Sequence, residues 1–183
     1  MFARRGIRWV LLMIVALIAC VPAVSQAAQP EFYSYQGEDI GTYEALDISE
    51  ACGFPVLLTN YGTAKGRITE DKQGNVRVVE TYSHQFRHTF TNANTGATLT
   101  TTAPAKFEFD YYVDGSITLT VTGLQENVTV RGQGSIFRDA GKIVFSLTEP
   151  GEILFEAGTH DSFNLAILGQ QERAERLCAA LAA

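Results

Sequence analysis

Glu80, His84 and His88 are the residues whose types and spacing most resemble a proton-transfer group. They follow one another at intervals of four residues, so in an extended strand they lie on one face. Histidine titrates near neutral pH, and a positioned carboxylate can act as general acid or base, so the three are our candidates for catalysis. Because four residues of strand span ~13 Å, two such imidazoles cannot bind one metal ion. We predict no metal and no cofactor; the alternative is that these polar residues are satisfied within a mostly apolar face.

A second pair with chemical potential is His160 followed directly by Asp161. An imidazole beside a carboxylate forms half of many nucleophilic sites. No Gly-x-Ser-x-Gly segment accompanies the pair, and adjacent residues on a strand face opposite ways. We therefore expect a surface turn at this position.

Aromatic residues recur at alternate positions in the same part of the chain. They are Tyr82, Phe86, Phe107, Phe109 and Tyr111. Core packing is their ordinary role. In a wide barrel the same five side chains would line an apolar pocket for a small ligand.

The elements that position these residues are strands with a two-residue period. The clearest covers residues 75–91, followed by a turn at 92–96 and a partner strand over 98–113, in which Pro104 must lie at a bulge or edge. Residues 54–69 form a strand pair or one long bent strand. A tight turn follows at 114–115, a slip of phase at 123–127 indicates a bulge or short turn, and 139–141 read as a hairpin before the last strand from 152.

The C-terminal segment 170–183 changes to helical spacing. Ala174, Leu177, Cys178 and Leu181 share one face of that helix. With about seven strands and no alternation of strands and helices, the chain is predicted to be all-β. We expect an antiparallel up-and-down meander closed into a barrel, because closure removes exposed edges, with a β-sandwich as the alternative.

The sequence also divides into three parts. Residues 1–27 contain three early arginines, an apolar run over 10–21 and a small-residue cleavage site ending at Ala27, which are typical of a secretory signal peptide. The apolar run is shorter than the ~20 residues of a membrane span, so we predict none in the mature chain. As an alternative, residues 17–20 resemble a lipobox in which Cys20 carries lipid. Residues 28–51 read as a polar leader in loop conformation, and 52–183 as a single β domain.

Cys52 and Cys178 are the cysteines that remain after such processing. In an oxidising compartment two cysteines most simply pair, and the alternative is two separate buried thiols. Closing a loop of this length stabilises the fold by roughly 4–5 kcal/mol in the chain-entropy description. The pair would tie the start of the β domain to its C-terminal helix.

Composition narrows the function classes. The chain has 183 residues, 20 acidic against 14 basic, and 46% hydrophobic residues, which is enough for one domain with a core and excludes a disordered chain. The acidic balance argues against nucleic-acid binding, which needs basic surfaces. Removing residues 1–27 takes away three arginines and no acid, so the exported chain is more acidic still.

The segment 49–56, Ser-Glu-Ala-Cys-Gly-Phe-Pro-Val, resembles the opening of a group of exported bacterial proteins, common in actinobacteria, that have no assigned activity. A hairpin like 91–96, a segment like 154–161 and a Cys-Ala-Ala-Leu end like 178–181 continue the likeness over roughly residues 47–182. The resemblance implies an exported β domain with paired cysteines and supplies no catalytic residues.

Three hypotheses for function follow. The leading one is a non-catalytic, extracytoplasmic binding or envelope-associated domain that holds a small apolar ligand. The first alternative is a small barrel enzyme of the cyclase or isomerase kind, in which Glu80, His84 and His88 would act inside the lumen. The second alternative is a structural protein of the cell surface.

Overall fold

The computed structural model describes residues 29–148 and 152–183 of the chain. Both the predicted signal cleavage after Ala27 and the lipobox cysteine Cys20 lie outside the described residues. No helix in the described ranges is long and apolar enough to cross a membrane.

The described residues form eleven strands, three α-helices and two short 3-10 helices. The strands are β1 (Glu31–Gln36), β2 (Thr42–Glu44), β3 (Val56–Tyr61), β4 (Thr63–Glu70), β5 (Val76–Tyr82), β6 (Arg87–Asn92), β7 (Thr98–Thr102), β8 (Ala105–Tyr111), β9 (Ile117–Val130), β10 (Gly134–Ser146) and β11 (Glu152–His160). The helices are α1 (Leu46–Cys52), α2 (Asp161–Leu168) and α3 (Glu175–Ala182), and the 3-10 helices cover Gly37–Ile40 and Gln171–Arg173.

The strands form two antiparallel sheets and no closed barrel. The large sheet has the order β1-β4-β5-β8-β9-β10-β11, and the small sheet has the order β2-β3-β6-β7. Within the described chain neither sheet pairs its first strand with its last, so the predicted barrel is wrong. The all-β prediction with a C-terminal helix is confirmed, and two antiparallel sheets suggest the sandwich that was our alternative.

The barrel prediction failed because three segments each pass from one sheet to the other: 75–91 and 98–113, predicted as single strands, and 54–69, predicted as a strand pair or one long bent strand. The segment 54–69 bends at Gly62 between β3 and β4, 75–91 bends between β5 and β6, and 98–113 bends at Pro104 between β7 and β8. Gly62 has a φ of 102°, which favours glycine, and Pro104 has no backbone donor for either sheet. A two-residue period continues through such a bend, because both halves bury the same face.

Strands β8 to β11 form a consecutive meander in which β9 and β10 are long and bent. The predicted hairpin at 139–141 is wrong, since β10 runs through it for 13 residues. Gly123, Gly141 and Gly158 lie side by side on β9, β10 and β11, with φ values of 107°, 129° and 122°. This glycine row bends the three strands together, because each position needs a backbone conformation that other residues rarely adopt. The predicted bulge at 123–127 is present: Gln125 is the extra residue, since Leu124 pairs with Ala140 and Glu126 with Asp139.

Residues 28–51, read as loop, contain β1, β2 and α1. Strand β1 pairs along its whole length with β4 and forms one edge of the large sheet. Its period-two signal is carried by Tyr33 and Tyr35, which are less exposed than their neighbours Phe32 and Ser34. The acidic composition of the surrounding segment concealed that alternation.

The C-terminal helix docks on the core as predicted. Ala174, Leu177 and Leu181 are fully buried in one apolar cluster with residues of the small sheet and of β9 and β10. The Cys52–Cys178 disulfide joins α1 to α3, with the two Cα atoms 5.0 Å apart, and confirms the predicted pairing. It closes a loop across almost the whole domain.

Candidate functional site

The first candidate region is a group of tyrosines around Glu80 on the inward face of the large sheet. Tyr33 and Tyr35 come from β1, Glu80 from β5 and Tyr111 from β8; we call these four residues the tyrosine–glutamate face. The Tyr33 hydroxyl donates to Glu80 Oε1 at 2.7 Å, and the Tyr35 hydroxyl donates to Oε2 at 3.2 Å. Each carboxylate oxygen is thereby held by one neutral donor.

Gly66 on β4 makes these hydrogen bonds possible. Tyr33, Gly66 and Glu80 occupy adjacent positions on β1, β4 and β5. Strands are about 4.8 Å apart, so the Tyr33 side chain must cross all of β4 to reach Glu80. Its ring lies across Gly66, in the space that a Cβ atom at that position would take. Glycine is required here for side-chain room.

The hydroxyl groups of this region stay protonated over the whole physiological pH range. Burial raises the pKa of Tyr33, Tyr35 and Tyr82 well above the usual tyrosine value, and the charge of Glu80 raises each pKa further. Burial and the same charge also raise the pKa of Tyr111. The four hydroxyl groups therefore stay neutral, and those of Tyr33 and Tyr35 donate to Glu80.

The five aromatic residues predicted to line a pocket divide into two groups. The Tyr82 ring stacks on Phe86 at 4.3 Å and lies 4.9 Å from Phe107, and Phe86 is only 1% exposed. These three residues fill the core. Phe109 and Tyr111, whose ring centroids are 6.5 Å apart, are half-buried.

An open depression of about 450 Å³ lies beside this face, at the β1–β4 edge of the sheet. Its lining residues are Phe32, Tyr33, Ser34, Lys65 and Gly66. Phe32 and Ser34 alternate with Tyr33 along β1, so the depression includes residues from both faces of the edge.

The second candidate region is buried between the sheets. Glu126, Asp139 and His160 occupy adjacent positions on β9, β10 and β11, and His88 approaches from β6 of the small sheet. We call these four residues the His–carboxylate layer; none of them is more than 4% exposed. His88 Nδ1 lies 3.4 Å from Glu126 Oε1, and His160 Nδ1 lies 3.5 Å from Asp139 Oδ1.

The layer separates apolar parts of the core. His88 on β6 lies between Phe86, which precedes the strand, and Phe90, and these two phenylalanines belong to different clusters. On β10, Asp139 lies between Phe137 and Ile143, which also belong to different clusters. The polar residues therefore lie between apolar clusters of the interior, two residues from the glycine row on β10 and β11.

Burial favours the protonated form of Asp139 in this layer. Desolvation raises the pKa of Asp139, and the charge of Glu126 beside it raises that pKa further, although the Ser162 N–H donates to Asp139 Oδ2 at 2.8 Å. The His160 ring Nε2 is 3.3 Å from the Ala157 carbonyl oxygen, to which it donates when it carries hydrogen. One further proton between His160 Nδ1 and Asp139 Oδ1 then satisfies both of these otherwise unpartnered atoms.

The structure gives the three proton-transfer candidates different surroundings. Glu80 is bonded to tyrosines, His84 is exposed in the bend between β5 and β6, and His88 is buried against Glu126. The alternative prediction of a satisfied polar residue therefore describes His88. The surface turn predicted at His160 is wrong: that ring is 3% exposed because β11 continues to it and places it beside Asp139.

Sequence reasoning missed Tyr33, Tyr35, Glu126 and Asp139. A signal existed for Glu126, which falls two positions before the apolar Val128 in a period-two strand. Asp139 was concealed because Asp-Ala-Gly at 139–141 is a typical turn sequence.

The two regions differ in what they can do chemically. The His–carboxylate layer contains acids and bases but is closed to a substrate, whereas the tyrosine–glutamate face is partly open to one. Among the described residues no group of three potential ligands is placed to hold a metal ion. Comparison of the chain with known protein families, with characterised proteins and with solved structures finds no match.

Proposed function

We propose that this protein is an extracytoplasmic, non-catalytic binding domain whose ligand contacts the tyrosine–glutamate face. The observation that carries the proposal is Glu80, a partly exposed carboxylate held by two tyrosine hydroxyls on an aromatic sheet face. A few oriented polar groups on an aromatic surface are the usual composition of a ligand site.

Location outside the cytoplasm is supported by the Cys52–Cys178 disulfide, which is stable in an oxidising compartment. The predicted signal peptide over residues 1–27 and the likeness to exported bacterial proteins agree with this location. A non-catalytic role is favoured because the acid–base groups with suitable pairing, His88 and His160, lie in the closed interior.

Ligand binding can be followed without a label. The only tryptophan of the chain is Trp9, so the mature protein fluoresces through its tyrosines. We expect a co-purified or added small ligand to change that fluorescence, and the change to be reduced at least fivefold in Tyr33→Phe. The matched control is Tyr61→Phe, an exposed tyrosine of the small sheet. Native mass spectra without any bound species, together with unchanged fluorescence across a ligand panel, would contradict the proposal.

A second candidate, a partner-binding protein of the cell surface, is favoured by β11. This strand forms an edge of the large sheet, and its Leu154 and Phe155 side chains are each 49% exposed. Edge strands with apolar side chains can pair with another chain. If this surface binds a partner, Leu154→Lys abolishes the complex in a pull-down from cell envelopes, whereas Tyr33→Phe leaves it intact.

A further inference from the structure

We propose that the tyrosine–glutamate face recognises a small organic cation, with Glu80 as its counter-charge. The inference rests on the proposed function, that this face takes a ligand, and adds the chemical class of that ligand. It is carried by the contrast between Glu80 on β5 and the carboxylates of Glu108 and Asp110 on the outward face of the adjacent strand β8.

On the outward face of β8 two carboxylates have basic partners. Glu108 Oε2 is 2.6 Å from Lys106 Nζ, and Asp110 Oδ1 is 2.6 Å from Arg77 Nε. A second guanidinium nitrogen of Arg77 is 3.5 Å from Glu108 Oε1. The positive charges of Arg77 and Lys106 therefore neutralise these two carboxylates.

Glu80 on the inward face has no such partner. Across residues 29–148 and 152–183, no lysine, arginine or histidine nitrogen lies within ion-pair distance of its carboxylate. The two tyrosine hydroxyls satisfy hydrogen bonds but supply no positive charge. A half-buried carboxylate with neutral donors only is a preformed position for a cation from outside the chain.

The tyrosine rings around Glu80 also favour a cation as the ligand. Tyrosine rings attract cations to their faces, and a compact ammonium group gains most where several rings are near one carboxylate. The Tyr33 ring turns one face to the β4 backbone at Gly66, so its other face is directed away from that strand. The Tyr35 hydroxyl contacts the same carboxylate at 3.2 Å, and the Tyr82 hydroxyl lies 3.4 Å from that of Tyr35.

Other ligand classes fit less well. A neutral apolar ligand would remove water from the Glu80 carboxylate and return no compensating interaction. An anion would be repelled by Glu80 and by a chain whose formal net charge is −6. A cation gains from both, so the charge distribution selects it.

The test compares choline with its uncharged isostere 3,3-dimethylbutan-1-ol, titrated into the purified exported protein by calorimetry and tyrosine fluorescence. We expect choline to bind at least tenfold more tightly than the isostere. Glu80→Gln, which keeps the acceptor oxygen and loses the charge, should weaken choline at least tenfold and leave the isostere unchanged. Glu108→Gln is the matched control and should alter neither. Circular dichroism establishes that both variants are folded.

The outcomes separate this inference from the proposed function. Equal binding of choline and the isostere, both weakened by Tyr33→Phe, would overturn the cation proposal and leave the binding face intact. Choline binding that is unaffected by Glu80→Gln would also overturn it. Absence of binding by choline and by n-butylamine, a primary ammonium probe, would overturn it too, while a species retained in native mass spectra would still support the proposed function.

Discussion

The tyrosine–glutamate face and the His–carboxylate layer both hold carboxylates away from bulk water, yet they stabilise them differently. Glu80 is partly exposed and accepts from two tyrosines whose hydroxyls keep their protons. Glu126 and Asp139 are almost completely buried and face the imidazole rings of His88 and His160. The first arrangement places a carboxylate at a partly accessible surface, whereas in the second burial favours the protonated form of Asp139 inside the fold. The two regions therefore differ in how exposed their carboxylates are and in which side chains lie against them.

Glycine contributes to the two regions in different ways. Gly141 and Gly158 have φ values of 129° and 122° and bend the strands that carry Asp139 and His160. Gly66 has no unusual backbone conformation, and its lack of a side chain leaves room for the Tyr33 ring. Backbone freedom thus builds the buried layer, and side-chain space builds the open face.

The largest expected effect is a loss of protein stability when the His–carboxylate layer is altered. His160→Ala removes the imidazole beside Asp139 and leaves a cavity with an unpaired acid, so we expect a loss of about 3 kcal/mol in the free energy of unfolding. Glu80→Ala, in the half-exposed region, should lose about 1 kcal/mol. Urea denaturation of the two variants measures the difference. Equal losses would show that the two regions are energetically alike.

The second largest effect is expected on replacing a glycine of each region by alanine. Gly158→Ala places a Cβ against the Ala140 carbonyl oxygen of β10 and requires an unfavourable φ, so we expect a loss of about 2–3 kcal/mol. Gly66→Ala meets only the Tyr33 ring, which can rotate away, so we expect about 1 kcal/mol together with reduced ligand binding. Thermal unfolding and ligand titration of both variants distinguish these results. A Gly66→Ala variant with full binding would contradict the role of the Tyr33 ring.

The third effect is on the pH dependence of stability. Burial raises the pKa of Asp139 to about 8, above the ~3.9 of an unfolded aspartate, so the native protein holds a proton that the unfolded chain releases. This contribution is complete below about pH 4 and is lost as the pH rises through about 8. We expect the free energy of unfolding to fall across that interval. In Asp139→Asn the free energy of unfolding should depend less on pH, because asparagine cannot ionise. If its pH dependence is unchanged in this variant, a group other than Asp139 causes it.

The smallest expected effect is the stability change in Glu80→Gln. The amide oxygen still accepts from one tyrosine hydroxyl and the side chain remains partly solvated, so the free energy of unfolding should change by less than about 1 kcal/mol. Chemical denaturation at pH 7 measures it. A loss comparable to that of His160→Ala would mean that Glu80 has a structural role and would remove the basis for treating it as a recognition group.

Local chemistry explains which parts of this structure the sequence could predict. The stripe Ala174, Leu177 and Leu181 and the disulfide were predictable because helical spacing and cysteine count are local signals. The division into two sheets was not, because a period-two pattern is unchanged where a strand bends at Gly62 or Pro104 and enters the other sheet.

Neither region was predictable in full from the chain. Glu80 was identified, but its tyrosine partners are 45 and 47 residues away on β1. His88 was identified as a polar residue to be satisfied in the core, but Glu126 reaches it only because β9 bends at Gly123 and turns its far half toward the small sheet. Pairings across distant strands depend on the topology, which single-segment periodicity does not contain.

The most direct test of the account is an NMR titration of protein labelled with ¹³C in its tyrosine and histidine rings, with choline as the added ligand. We predict that the ring signals of Tyr33, Tyr35 and Tyr111 shift in proportion to one binding isotherm while those of His88 and His160 stay in place. Shifts confined to the two histidines, or no tyrosine shift at saturating choline, would contradict the assignment of recognition to the open face.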